Sequence, residues 1–132
     1  MNVAETLLAH AMNERTLSDT VYDAAQKLRW RIHRDPYWRP TATMPGYPDL
    51  TLVRGERLIF AELKSMKGAV SADQDGWLDA LRGVGVEVYV WTPADWYSGE
   101  IERVLEGNTA IMGVLLADRT RPAMPTSPAT DD

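Results

Sequence analysis

The chain has 132 residues, 14 Lys and Arg against 19 Asp and Glu, a net charge of -5 and no cysteine. That length predicts a single domain able to bury roughly two-thirds of the surface its unfolded form exposes. The acidic total disfavours a polyanionic partner for the molecule as a whole, and the missing cysteines exclude disulfides, a thiolate nucleophile and thiolate zinc sites, leaving oxygen or imidazole to hold any metal.

No stretch reaches the ~18 consecutive apolar residues of a membrane span. Glu5 and His10 interrupt the opening residues, which lack the basic-then-apolar layout of a signal peptide, so a cytoplasmic location and no membrane partner are expected. Leu7, Leu8, Ala11, Leu17, Val21, Ala24, Ala25 and Leu28 recur at helical spacing. They predict one long helix from Val3 to about Arg29, or two joined near Asn13. Glu14 shares a helical face with Leu17, Val21 and Leu28, which would turn a charge toward the core. Equally, it is a first-turn acid after an Asn13 cap, favoured there by the helix dipole.

"WRIHR" then reads as a short strand. The stretch "KLRWRIHRDPYWR" holds Lys27, Arg29, Arg31, Arg34 and Arg39 against Asp35, leaving nine positive and eighteen negative side chains elsewhere. Cations interleaved with Trp30, Tyr37 and Trp38 suit phosphates and unstacked bases, although a solvated strand end with snorkelling arginines gives the same pattern. Pro36, Pro40, Pro45, Gly46 and Pro48 make the following segment an irregular loop.

"DLTLV" and "RLIFAELK" flank Arg54-Gly55-Glu56 as a tight hairpin, and the apolar run Leu58 to Ala61 marks a central strand. Ser71 with Gln74 resembles a capping box opening a helix through Leu81, ended by Gly83 and Gly85. "VEVYVW" is a further strand, Thr92-Pro93 starts a short helical turn, and Ser98 to Leu105 is a last helix. "TAIMGVLLA" suits an edge strand or a packed helical turn. Residues 1–117 are expected as the single domain, and 118–132, rich in Pro, Thr and Asp, as a disordered tail.

On an extended strand Glu62 and Lys64 share a face at the end of an apolar run, and the hairpin can set Asp49 beside Glu62. Two close, desolvated carboxylates repel unless a cation lies between them. Hard oxygen ligands suit Mg²⁺ or Mn²⁺ with positions left for water and a phosphate, and Lys64 could orient that water or steady charge on phosphorus oxygens. The plain alternative is a solvated strand end with Asp49 capping a loop.

These blocks resemble the PD-(D/E)xK nuclease superfamily and, within it, the VRR-NUC family of virus-type replication-repair nucleases. The likeness runs from Gly46-x-Pro48-Asp49 through Glu62-Leu63-Lys64 and Gln74 before Trp77 to the strand ending Trp91-x-Pro93-x-Asp95. Upstream, "NERTLSDTVYDAAQKLRWRIHR" is similar to the family's first helix and its histidine-bearing strand, so the likeness spans roughly Asn13 to Leu105. One departure is Arg29, where the family commonly carries a glycine before the tryptophan.

The resemblance implies an α/β, restriction-endonuclease-like fold: a mixed sheet of about four strands flanked by helices, in the order α-β-β-β-α-β-α. It implies Asp49 and Glu62 as metal ligands with the Leu63 backbone carbonyl, Lys64 as the catalytic lysine, and Gln74 holding that lysine or a phosphate. Glu14 would be a further catalytic acid at the site and a further metal ligand. Arg29, Arg31, His33, Arg34, Arg39 and Lys67 are the candidate nucleic-acid contacts, although a lone histidine such as His33 is also an ordinary surface or core residue. Trp77, Trp91 and Trp96 are read as packing. The implied activity is a Mg²⁺- or Mn²⁺-dependent DNA endonuclease, as a homodimer cutting branched DNA such as a four-way junction in phage or bacterial replication, repair or recombination. The alternatives are a non-catalytic DNA-binding or assembly module on the same fold, and a hydrolase of another phosphodiester.

Overall fold

A computed structural model describes residues 1–34 and 44–107. The elements are α1 (Val3–Ala11), α2 (Glu14–Lys27), β1 (Arg31–Arg34), β2 (Leu50–Arg54), β3 (Arg57–Leu63), α3 (Ala72–Gly83), β4 (Glu87–Trp91), α4 (Pro93–Tyr97) and α5 (Glu100–Glu106). The apolar period that runs through residues 3 to 29 is thus broken into two helices. Met12 is extended, and Asn13 opens α2 by accepting the Thr16 N–H at 2.8 Å, which supplies one of the donors a helix start leaves unpaired. Leu7 and Leu8, expected on the core side, are exposed, because α1 buries Ala9 and packs against α4.

The sheet has the order β1-β2-β3-β4, antiparallel except for the parallel β3–β4 pair that α3 connects. Gly55, at φ 60° in the first loop position, makes the β2–β3 connection a tight hairpin and pairs Arg54 with Arg57. That turn fixes the register Leu50↔Ala61, Leu52↔Ile59. Ile59, Ala61 and Leu63 therefore point to one face, where they are buried with Leu17, Val21 and Ala25 of α2 and Ile101, Val104 and Leu105 of α5. Each fully buried Leu or Ile there stabilises the fold by about 2 kcal/mol. Leu58, Phe60 and Glu62 point to the opposite face, where Tyr47 bridges Phe60 and Trp77 of α3 through edge-on ring contacts at 6.2 and 5.0 Å.

At the hairpin end of the sheet, the Trp30 indole N–H donates to the Leu105 carbonyl at 2.9 Å. The guanidinium groups of Arg54 and Arg57 lie over its ring at 4.7 and 5.1 Å. Arg57 also forks onto Glu87 at 2.7 and 2.9 Å, and Tyr89 donates to the same carboxylate at 2.8 Å. The two arginines donate to carbonyls at the ends of α2 and α5, through Leu28 and Val104. The last turn of α2 closes with Trp30 N–H to Ala25 and Arg29 N–H to Gln26, the paired bonds of a Schellman end. Arg29 is the left-handed residue of that motif, at φ 69°. A side chain there costs about 1 kcal/mol that glycine would avoid.

The observed order adds one helix before β1 and separates α4 from α5, and otherwise follows the expected α/β arrangement. "TAIMGVLLA" and residues 118–132 lie outside the described residues.

Candidate active site

Strand β2 begins one residue after Asp49, because Pro48 has no N–H to give to a ladder. Continuing the register one step past Leu50↔Ala61 sets Asp49 opposite Glu62, a cross-strand spacing of about 5 Å between Cβ atoms. Where the ladder stops, the Asp49 side chain takes it over: its Oδ2 accepts the Leu63 N–H at 2.8 Å. The Pro-Asp pair thereby ends the pairing and fixes the carboxylate at once.

Glu62 sits at the buried end of β3, 2 % exposed. Its Oε2 accepts from the Gln74 amide at 2.7 Å and lies 3.6 Å from the Lys64 ammonium. Its Oε1 is buried and no described donor reaches it. Gln74 belongs to the capping box of α3. Its Oε1 accepts the Ser71 N–H at 2.9 Å while the Ser71 hydroxyl accepts the Gln74 N–H at 3.2 Å. The amide thus serves the helix start with its oxygen and Glu62 with its nitrogen.

Gly46 locks the two halves together. At φ 85° it lies so close to α3 that a Cβ would fall 2.4 to 2.6 Å from the backbone of Asp73 and Gln74. The sequence marks Gly46 as able to take positive φ. The close approach to α3, which positions the Asp49 loop against Gln74, is a long-range feature that local pattern does not carry.

Burial raises both carboxyls. Loss of water, then the Asp49 charge, push Glu62 from its ordinary 4.5 up to about 8, with Lys64 opposing. Asp49 is raised chiefly by burial, against the lowering effect of the Leu63 N–H, with the Glu14 charge adding to the rise. Glu62 therefore keeps its proton near neutral pH. Two facing carboxyls, one with a buried oxygen that no donor satisfies, fit a hard divalent cation as well as they fit that proton.

Glu14 is half-buried at the start of α2, and its Oε2 accepts the Ser65 N–H at 3.4 Å. It faces the end of β3 as its helical period indicates. However, among the described residues no group of three or more His, Asp or Glu side chains is placed to hold a metal. Asp49 and Glu62 are the carboxylates brought together, and the Glu14 charge acts on Asp49 at longer range. Lys64 is mostly buried, with a side chain 12 % exposed, and Lys67 is exposed in the turn just beyond it.

The candidate nucleic-acid contacts separate. Arg34 faces α2: it binds Asp19 at 2.7 Å and Ser18 at 3.1 Å and covers the Tyr22 ring. Arg34 is therefore a strut between β1 and α2, as strand alternation requires, since Ile32 of β1 packs on the core and Arg34 shares its face. Arg31 and His33 point to the other face, opposite Val53 and Thr51. Arg29 lies at the hairpin end, and Arg39 falls outside the described residues. Trp91 is buried, and Trp77 and Trp96 are half-buried, as packing residues should be.

Comparison with known proteins places this sequence in a family. No curated protein and no solved structure matches the chain. The VRR-NUC domain family matches over residues 5–95, a span that runs from α1 through α4 and contains Asp49, Glu62, Lys64 and Gln74. The chain belongs to the VRR-NUC family of nuclease-type domains.

Proposed function

We propose that this protein is a Mg²⁺- or Mn²⁺-dependent deoxyribonuclease with its centre at Asp49, Glu62 and Lys64. The observation that carries the reading is the buried Glu62 carboxyl, with one oxygen unmatched by any described donor, opposite Asp49 one step past the last rung of the hairpin. Packing alone does not account for two carboxyls and an ammonium gathered at one strand end.

Asp49, Glu62 and the Leu63 carbonyl would hold the ion. When bound, the ion supplies Lewis-acid activation of water and neutralises charge at the phosphorus centre. The chain's own groups do the rest. The Leu63 N–H fixes the Asp49 carboxylate, and the Gln74 amide fixes Glu62. Lys64, 3.6 Å from Glu62, would orient the attacking water or stabilise charge growing on the phosphate oxygens. Burial of the site limits competing water.

The finer reading is a homodimer acting on branched DNA, a four-way junction above all, in replication, repair or recombination; two sites related by a two-fold axis suit a substrate of the same symmetry. The test is cleavage of labelled junction, flap, single-stranded and linear duplex DNA with Mg²⁺, Mn²⁺ or EDTA, beside Lys64→Ala. Metal-dependent cutting that the variant loses is the expected result. A folded protein that binds DNA but neither cuts it nor binds Mn²⁺ would instead be a DNA-binding module.

A further inference from the structure

The two sides of the sheet face that carries Asp49 and Glu62 differ in charge. On the β3–β4 side, α3 presents the exposed acids Asp73, Asp75 and Asp79. On the β1–β2 side, the residues pointing to that face are Arg31 and His33 on β1 and Thr51 and Val53 on β2. Val53 is 40 % exposed although β2 is an interior strand. Arg29 and Arg31 flank the buried Trp30 and are themselves exposed, and neither side chain has a hydrogen bond or ion pair among the described residues. From residue 27 to residue 34 the chain carries four cations and no acid. Lys64 and Lys67 stand at the other end of the same strands, by the carboxyl pair.

The spacing between the two ends is set by the register. Arg31 pairs with Val53, four residues along β2 from Asp49. At about 3.3 Å per residue that is roughly 13 Å, the axial advance of about four nucleotides of one DNA strand at ~3.4 Å each. Arg29 lies beyond it. The conformation of Arg29 bears on its purpose: a Schellman end is made by backbone bonds, glycine makes it without strain, and no described contact of the Arg29 side chain supports the fold.

We propose that Arg29 and Arg31 form a remote anchor for the DNA backbone, holding phosphates about four nucleotides or more from the reacting one, with the strand lying over the open β1–β2 half of the sheet face and away from the acidic helix α3. This deepens the nuclease reading and rests on it. The anchor lies outside the carboxyl site, so its loss weakens substrate hold without altering the groups that act on the phosphate.

The test is equilibrium binding of the full-length protein to labelled 20-base-pair duplex and four-way junction DNA, with Ca²⁺ in place of Mg²⁺, over a series of salt concentrations. Wild type is compared with Arg29→Gly, Arg31→Gln and the double variant. Each single change should weaken binding several-fold at low salt and reduce the slope of log affinity against log salt by about 0.9, the signature of one lost phosphate contact. Arg29→Gly should at the same time raise the melting temperature. Phosphate ethylation about four nucleotides from the cut should hinder wild type and leave the double variant indifferent. Wild-type binding with unchanged slopes in the variants overturns the anchor and leaves the nuclease standing, and so does a fall in melting temperature for Arg29→Gly. A wild type that binds neither DNA at low salt overturns both readings.

Discussion

Replacing Glu62 by glutamine should make the metal-free protein more stable while removing the metal site proposed above. In the folded chain this carboxyl ionises at about 8, against an ordinary 4.5. Below pH 4.5 it is protonated folded or unfolded and contributes no difference. As pH rises from 4.5 to 8 the unfolded chain releases the proton while the folded chain keeps it, so folding becomes progressively costlier. At ~1.36 kcal/mol per pH unit the full penalty is about 5 kcal/mol, which relaxation and water entry would reduce to about 2–3 kcal/mol. Glutamine keeps the shape and an oxygen for the Gln74 amide to donate to, and it removes the charge. Thermal melts in EDTA at pH 4.5, 6 and 8 should show Glu62→Gln level with wild type at the lowest pH and about 8–12 °C higher at pH 8, at ~4 °C per kcal/mol for a chain of this size. Added Mn²⁺ should raise wild type, by an amount growing with the logarithm of its concentration, and leave the variant unmoved. A variant less stable than wild type at pH 8 in EDTA would refute the claim that Glu62 is held under electrostatic stress.

The proton on Glu62 must leave for a cation to enter, so apparent Mn²⁺ affinity should rise about tenfold per pH unit between pH 6 and 8 and then level off; calorimetry in buffers of differing ionisation enthalpy should detect about one proton released at pH 7, and a flat profile would contradict the raised Glu62 carboxyl. Gly46→Ala meets the α3 backbone and a left-handed φ together, and should cost about 2–4 kcal/mol in chemical denaturation. A cost under ~1 kcal/mol would mean that the loop is not seated on α3. Glu87→Ala leaves the Arg57 guanidinium uncompensated under Trp30 and should cost about 3 kcal/mol or more, with Glu87→Gln recovering part of it. Equal stability in both variants would show that the ion pair is dispensable.

The legible parts of the molecule are those set by a short period or a short turn. Glu62 and Lys64 fall on one face because strand side chains alternate, and Asp49 falls opposite Glu62 because a two-residue loop at Gly55 leaves one register. The Ser71–Gln74 capping box could be read because its two partners are only three positions apart. Features that depend on distant partners were harder to read. Apolar spacing continues across Asn13, so the choice between one helix and two rests on a single capping side chain. Leu7 and Leu8 belong to the expected stripe, yet the turn of α1 against α4 leaves them exposed. Arg34 was grouped with the other cations by composition, whereas the alternation that puts Ile32 on the core turns Arg34 toward Asp19 and Tyr22. The seating of Gly46 on Asp73 and Gln74 joins segments 27 residues apart and leaves no local trace. The left-handed backbone of Arg29 comes from the closing bonds of α2, and an arginine in that place does not announce it.

The double duty of Gln74 limits how this protein can change. Glutamine and glutamate are interchangeable as the third residue of a capping box, since either offers an oxygen to the Ser71 N–H. Here the other end of the side chain must be a donor, because 2.7 Å away lies a carboxylate oxygen. A Gln74→Glu change would leave α3 as well started as before and put a third carboxyl against Asp49 and Glu62, where burial and the Asp49 charge already push the Glu62 carboxyl up. Helix-forming rules accept the substitution and the site rejects it. A neutral drift between two equivalent helix starters is therefore closed to this position, and the nitrogen of one amide, rather than any backbone requirement, holds it at glutamine.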